Sequence, residues 1–400
     1  MTPDKRTASR HVGLALLALA TGGFAIGTTE FVTMGLLPEI ADGVGISIPT
    51  AGHIVSAYAI GVVVGAPVIA ALGARTGRKR LLLGLMGVFV LGNVLSAVAN
   101  SYELLMAARF VSGLPHGAFF GIGAVVGASL VPANRRAWAV SMIMVGLPIA
   151  NIVGVPATTL LGQQLGWQLP FLLVGGLGLL TLVAVYFWVA PQPVGSEVNA
   201  RSELSALARP QVWMALLVGM VGFGGMFATY SYITPTMTEL AGFSPAAVTI
   251  VLAVYGVGMT GGTLVGGRLA DRALMPSLYG GLVAVTLVLG VFGWLAQSKP
   301  GALIGVFAMG FSASILIPAL QTRLMDVAHE GQALAASLNH STLNVANALG
   351  AWLGSVVLAA GYGYQWPSRV GAALAVAGLV LAVVSGLMDR RTERLVATNA

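Results

Sequence analysis

A carboxyl, a guanidinium and an imidazole stand out in this chain because nearly everything around them is apolar. Glu30 is the one carboxylate well inside an apolar stretch. It lies eight residues before Pro38, about 12 Å from the end of its segment at ~1.5 Å of helical rise per residue. Removal from water disfavours the charged form, so such a group can take a proton from one side and lose it on the other. The alternative is a neutral Glu hydrogen-bonded to a neighbouring helix for packing. Arg109 is the cation inside an apolar stretch, and residues 109, 113, 116 and 120 share one helix face. Arg does not shed its charge, so it needs an acid, carbonyls or water nearby. It either steers the protonation of Glu30 or His116, or is a structural Arg bonded to carbonyls at a helix break. His116 titrates near neutrality and either relays protons or simply hydrogen-bonds.

A second group of residues has the spacing of a binding surface. His340, Asn344 and Asn347 follow i, i+4, i+7 and make a polar stripe on one helix face, flanked by Asn339. Asn151 occupies a comparable place in the first half. Such stripes either glue helices together or line a wet cavity. Phe24, Phe31, Tyr58, Phe119, Phe120, Tyr230, Tyr232 and Tyr255 can wall an apolar pocket, or pack between helices. From these, Phe31, Tyr58, Phe119, Asn151, Tyr230, Asn339, His340, Asn344 and Asn347 are expected to face a small-molecule substrate.

The elements that must carry these groups are membrane helices. The 400 residues are 57% hydrophobic and 8% charged, against about 25% charged in a soluble domain. Apolar runs of about 20 residues recur, each long enough to cross ~30 Å of hydrocarbon. The expected helices are roughly 12–36, 51–73, 81–99, 102–125, 137–162 and 167–190, then 212–237, 246–269, 277–297, 301–322, 332–360 and 368–388. The fold class is therefore an all-α membrane protein of twelve transmembrane helices. Residues 1–190 and 211–400 form two six-helix bundles, and a polar, proline-bounded stretch over 191–210 reads as a cytoplasmic linker. The bundles are pseudo-symmetric, because an offset of 197 residues carries Tyr58 onto Tyr255, Pro38 onto Pro235, Phe110 onto Phe307, Gly113 onto Gly310 and Ala74 onto Asp271. Duplicated helical bundles are the usual build of secondary transporters. Pro38, Pro49, Pro132, Pro170 and Pro245 fall near helix ends. Pro115, Pro148, Pro156 and Pro318 fall inside spans, where they mark either kinks used in gating or fixed bends.

Charge distribution fixes the orientation. Of the 20 Lys and Arg, all but Arg109, Lys299 and Arg369 sort to one side if the N-terminus is cytoplasmic. Both termini are then cytoplasmic, and the net charge of +7 is a membrane signature and not a nucleic-acid one. The basic start and short apolar run imitate a signal peptide, but the apolar stretch continues to Leu37, so it is expected to stay as the first span. There is no Cys, which excludes disulfides and thiolate metal sites, and no His/Asp/Glu cluster has metal-ligand spacing. Gly121-x-Gly123-x-x-x-Gly127 follows no strand, and Gly73-x-x-x-Gly77-Arg78-Lys79 lacks Walker spacing. No nucleophile arrangement or cofactor motif is present, so an enzyme is not expected and the cofactor expectation is none.

These residues resemble the major facilitator superfamily, and within it the twelve-span drug:proton antiporters. Gly73-Ala74-Arg75-Thr76-Gly77-Arg78-Lys79-Arg80 looks like the family's signature loop. Arg109 through Gly117 looks like its fourth-span motif, and Gly146-Leu147-Pro148 with Gly154-Val155-Pro156 like its fifth-span antiporter motif. Thr28 through Pro38, with Arg109 through Phe120, is similar to the branch holding actinobacterial chloramphenicol-resistance exporters and sugar- or nucleoside-efflux proteins. The resemblance associates Arg109 with proton coupling, for which Glu30 and His116 are the further candidates read from the residues themselves. It also implies a conformational gate at Arg75, Arg78, Lys79, Arg80, Arg268, Asp271, Arg272, Pro148 and Pro156. One departure is Ala74, which stands where the family loop carries Asp. The second-half loop keeps that acid as Asp271, which is expected to meet the Arg75–Arg80 cluster across the pseudo-symmetry axis.

The resulting expectation is a monomeric, multi-pass carrier in the bacterial cytoplasmic (inner) membrane. Its partners are protons, the lipid bilayer and a small amphipathic substrate, chloramphenicol-like compounds ranking first. A proton-coupled sugar or nucleoside transporter is the rival within transport, and a non-transporting membrane receptor the rival outside it.

Overall fold

The computed structural model describes residues 5–46, 48–73, 75–192, 200–244 and 247–399. Ala74, Pro245 and the linker stretch 193–199 lie outside the described residues. Among those described there is no strand. In chain order the helices are α1 (Lys5–Gly35), α2 (Leu37–Val44), α3 (Ile48–Gly73), α4 (Arg78–Val98), α5 (Tyr102–Ser129), α6 (Arg136–Met144), α7 (Gly146–Ile149), α8 (Val155–Leu165) and α9 (Gln168–Trp188). They continue as α10 (Ala200–Leu204), α11 (Pro210–Tyr230), α12 (Ile233–Pro235), α13 (Val248–Arg272), α14 (Leu274–Leu295), α15 (Lys299–Ala328), α16 (Gln332–Ala359) and α17 (Trp366–Asn399).

Ten helical stretches among the described residues are long and apolar enough to cross a membrane. One of them, Lys299–Ala359, runs to 61 residues and holds both α15 and α16, divided at the 3-10 turn His329–Gly331. Helix α3 is 26 residues long, and His53–Ile69 is its described apolar run. The expected 301–322 helix runs on to Ala328, and the expected 137–162 helix is not continuous. It breaks into α6, α7, a π-helical turn at Ala150–Gly154, and α8. Pro148 and Pro156 bracket that turn. Each lacks an N–H and pushes on a carbonyl one turn earlier, so the regular α ladder gives way to wider bonding. The linker region is not plain coil either: α10 and a 3-10 turn at Ser205–Ala208 occupy its second half.

The chain packs as two compact units. One is 1–206 with 329–341, and the other is 207–328 with 342–400. The first unit thus holds the start of α16, and the second holds the rest of it.

Inside each unit the sequence repeat is a packing repeat. In the first, a Cβ at Gly61 would collide with the Phe110 carbonyl, one at Gly65 with the Leu114 carbonyl, and one at Gly113 with the Tyr58 carbonyl. In the second, Gly258 meets the Phe307 carbonyl, Gly262 the Phe311 carbonyl and Gly310 the Tyr255 carbonyl. Every one of these pairs is related by the same 197-residue offset. Lipid offers no hydrophobic drive between helices, so close backbone approach through small residues supplies the attraction. The α3–α5 and α13–α15 seams are two copies of that solution.

Candidate transport site

The first unit gathers its polar groups around Arg109. This residue sits on α5 with no exposed surface. Nη1 donates to Thr29 Oγ1 at 2.9 Å and Nη2 to the Thr29 carbonyl at 3.0 Å, with Ser112 Oγ a longer 3.4 Å away. The guanidinium also lies 4.5 Å from the centroid of the Tyr58 ring and 5.5 Å from that of Phe171. Of the two readings of Arg109, carbonyl binding is therefore observed, and it occurs at the residue next to Glu30. Glu30 is half-buried on α1, and its carboxyl interacts electrostatically with Arg109 and Tyr58. No hydrogen-bond partner takes Arg109 Nε. Thr29 hands the network on by donating to Asn93 Oδ1, and Asn93 Nδ2 donates to the Phe89 carbonyl at 2.8 Å.

Tyr58 links this cluster to the imidazoles. Its hydroxyl meets His116 Nδ1 at 3.0 Å, and His116 Nε2 meets His340 Nδ1 at 3.2 Å. Both histidines are nearly fully buried. His340 stacks on Phe120 with centroids 4.4 Å apart and planes 12° apart. From Thr29 to His340 the contacts run through α1, α5, α3 and α16 without leaving the first unit.

The remaining expected substrate residues divide by unit. Phe31 and Asn151 are half-buried in the first, the Asn151 amide donating to the Leu147 carbonyl at 3.4 Å. Phe119 is fully buried against Gly22 of α1, a packing position. Asn339 is buried beside His340. In the second unit Asn344 and Asn347 are half-buried on α16, so the stripe that begins at His340 changes unit along its length. Tyr230, also half-buried, stacks on Tyr255 at 4.6 Å.

Of the expected gate residues, Arg75 and Arg80 are exposed and Arg78 half-buried. Lys79 donates to the Tyr186 carbonyl at 2.6 Å. Arg268, Asp271 and Arg272 occupy the last turns of α13. Pro148 is buried and Pro156 exposed, on either side of the π-helical turn.

An apolar cavity of about 650 Å³ opens in the first unit between α1 and α6–α7, walled by Leu16, Leu17, Phe24, Trp138, Met142 and Ile149 among others. That volume is in the range of small-molecule pockets. Phe24 is among the aromatic residues the sequence singles out. Trp138 and Met142 are not, because nothing in their local pattern separates them from ordinary span residues. Thr29 and Asn93 also escape a sequence reading. Their signal is a polar side chain in mid-span, which many packing threonines share. Arg323 and its partners escape for another reason. Its ion pair with Asp389, reinforced by Gln211 and Ser385, joins α15, α11 and α17 across long sequence separations.

Similarity to known proteins settles the family. The sequence pattern described as Major Facilitator Superfamily matches residues 19–337. The chain belongs to the Major Facilitator Superfamily. It is 43% identical over 389 residues to the "Inner membrane transport protein YdhP" of Escherichia coli, covering 97% of this chain and all of that one. It is 33% identical to a "Chloramphenicol resistance protein" of Streptomyces lividans, covering 86% and 89%. Among solved structures, the fold matches that of the Escherichia coli fucose:proton symporter with a TM-score of 0.76 at 17% identity, covering 92% and 98%. This superfamily member is a multi-pass membrane transporter of small molecules and not an enzyme.

Proposed function

We propose that this transporter is a proton-coupled antiporter of the bacterial cytoplasmic membrane that exports small amphipathic compounds, chloramphenicol-like drugs first. The observation that carries the reading is the Arg109 network. A fully buried guanidinium is anchored on Thr29, one residue from the membrane-embedded Glu30, and leaves its Nε donor open on an adjacent edge. A proton arriving on Glu30 changes what Arg109 faces, and an ionised Glu30 can claim that donor. Proton occupancy is thereby tied to the arrangement of α1 and α5.

The proposed cycle has Glu30 take a proton from outside, access switch, and Glu30 release the proton inward as substrate enters. Twelve crossings, two six-helix bundles over 1–190 and 211–400, a cytoplasmic linker, a monomeric state and both termini inside belong to the same proposal. An apolar, aromatic-walled cavity near α1 supports an amphipathic cargo, and the chloramphenicol-resistance relative supports the drug class.

The deciding experiment compares the parent with Glu30→Gln in inverted vesicles carrying an imposed pH gradient. Drug accumulation driven by the gradient is expected in the parent and absent in Glu30→Gln, with unchanged thermal stability in detergent. Equal gradient-driven accumulation in both would remove Glu30 from the mechanism. Substrate movement with the proton instead of against it would favour the sugar or nucleoside reading.

A further inference from the structure

The start of α16 is fastened to the first unit at three places along its length. One is the His116–His340 contact. About one helical turn towards the start of α16, Ser337 lies on Gly121, where a Cβ would collide with its hydroxyl and backbone. The fastening at the first residues of the helix is of a different kind. Glu203, on α10 in the segment joining the two halves, is a carboxylate only 5% exposed. It accepts the Leu334 backbone N–H at 2.9 Å and also bonds the Ala333 N–H. Those are two of the four N–H groups that a helix beginning at Gln332 leaves without a partner in its own ladder. Arg78 acts on the carboxylate from α4. Gly331 has no side chain and lets the Glu203 carbonyl and Ala206 approach directly.

Helix starts are ordinarily capped by a neighbour in sequence. Here the cap comes from 131 residues away, so helix and cap can separate. Separation is feasible because both partners are polar: water can take over the N–H groups and the carboxylate, as it cannot for apolar contacts. An acid buried for packing alone would be a poor choice, since an apolar side chain fills such space at lower cost. The location adds to this. Residues 329–341 pack with the first unit while 342–359 of the same helix pack with the second. A change of access must bend α16 at that boundary or lift its start away.

We propose that Glu203 is a positioning residue of the transport cycle: its carboxylate latches the start of α16 to the first unit in one access state and lets go in the other. The inference rests on the alternating-access reading but on neither the substrate nor the proton site.

The chain has no cysteine, so a single Ala335→Cys, at a fully buried position two residues beyond Ala333, reports release through its alkylation rate. A membrane-impermeant maleimide is added to inverted vesicles without substrate or pH gradient. Glu203→Ala in that background is expected to raise the rate at least about tenfold, the effect of an allosteric coupling of ordinary size. Glu203→Gln keeps one acceptor oxygen but sets an NH2 donor where even a protonated carboxyl offers a second oxygen to the two backbone N–H groups, and is expected to raise it about threefold. An increase under twofold in Glu203→Ala overturns the proposal, including the case where thermal stability falls and labelling does not change. Should Glu203→Ala not reach the membrane, Glu203→Gln decides by the same twofold limit. Because labelling needs neither cargo nor protons, a failed export assay and a failed latch give different results.

Discussion

His116 and His340 lie 224 residues apart and meet nitrogen to nitrogen at 3.2 Å in the first unit. His116 spends its other nitrogen on Tyr58. If the tyrosine donates, His116 must carry its proton on Nε2 and donate it to His340, so one hydroxyl sets the tautomer of the pair. Replacing either histidine by Leu strands a buried nitrogen and is expected to cost about 1–3 kcal/mol. Replacing both is expected to cost less than the sum, with a coupling of about 1 kcal/mol. Unfolding in detergent measures this, and strictly additive losses would show that the contact carries no energy.

Arg109 makes a second prediction. Two of its nitrogens bind the carbonyl and hydroxyl of one residue, a forked geometry that a single ammonium does not reproduce. Arg109→Lys keeps the charge and is still expected to lower the proposed export at least tenfold, about 1.4 kcal/mol. Its melting temperature should fall as well. Export retained at the parental rate would mean that the positive charge alone matters and the fork does not.

The paired glycine seams predict matched damage in the two halves. Gly65→Ala drives a methyl into the Leu114 carbonyl, and Gly262→Ala does the same at the Phe311 carbonyl. Backbone cannot swing aside as a side chain can, so each is expected to destabilise by about 1–3 kcal/mol. Gly84→Ala, where no atom lies within 4 Å of the added methyl, is the control and is expected to be neutral or slightly stabilising by helix propensity. Thermal unfolding of the three variants ranks them, and equal melting temperatures would refute the close-approach account.

Proton sensitivity at the latch follows from burial. Burial raises the Glu203 carboxyl above its ordinary 4.5, partly offset by the Leu334 N–H, Arg78 and the Ala333 N–H. Arg78 on α4 is the charged side chain acting on it; the adjoining turn carries His329 and Glu330. A carboxyl whose value is raised in the latched state binds protons more tightly there than when released into water. Acid therefore favours the latched state, fully below about 4.5, and the gain is lost as pH rises through the raised value. Alkylation of the Ala335→Cys reporter, corrected for thiolate fraction, should slow as the pH on the Glu203 side falls from 7 towards 5, and Glu203→Gln should abolish that slope. A slope unchanged in Glu203→Gln would assign it to another group.

Much of this protein is written locally. A chain with so few charges must use lipid as its solvent. The apolar runs of span length, the 197-residue repeat and the isolation of Glu30 and Arg109 are therefore legible without coordinates. So is a bend near Pro148 and Pro156, because proline removes a specific bond wherever it stands, but the division into α6, α7, a π-helical turn and α8 was not. The length of α15, which continues past the expected end to Ala328, is less legible, since a helix leaving the membrane can run on through polar residues.

Partnerships were decided only in three dimensions. The sequence places Tyr58, Phe119 and His340 together as substrate-facing candidates, yet the fold packs Phe119 on Gly22, bonds Tyr58 to His116 and sets His340 against both His116 and Phe120. Glu203 in the linker had no sequence mark at all until α16 was seen to begin against it. The reason is physical. Hydrophobicity and charge depend on each residue and its solvent, whereas a contact between distant helices depends on their rotation and register. In lipid those are fixed by where small residues let backbones touch.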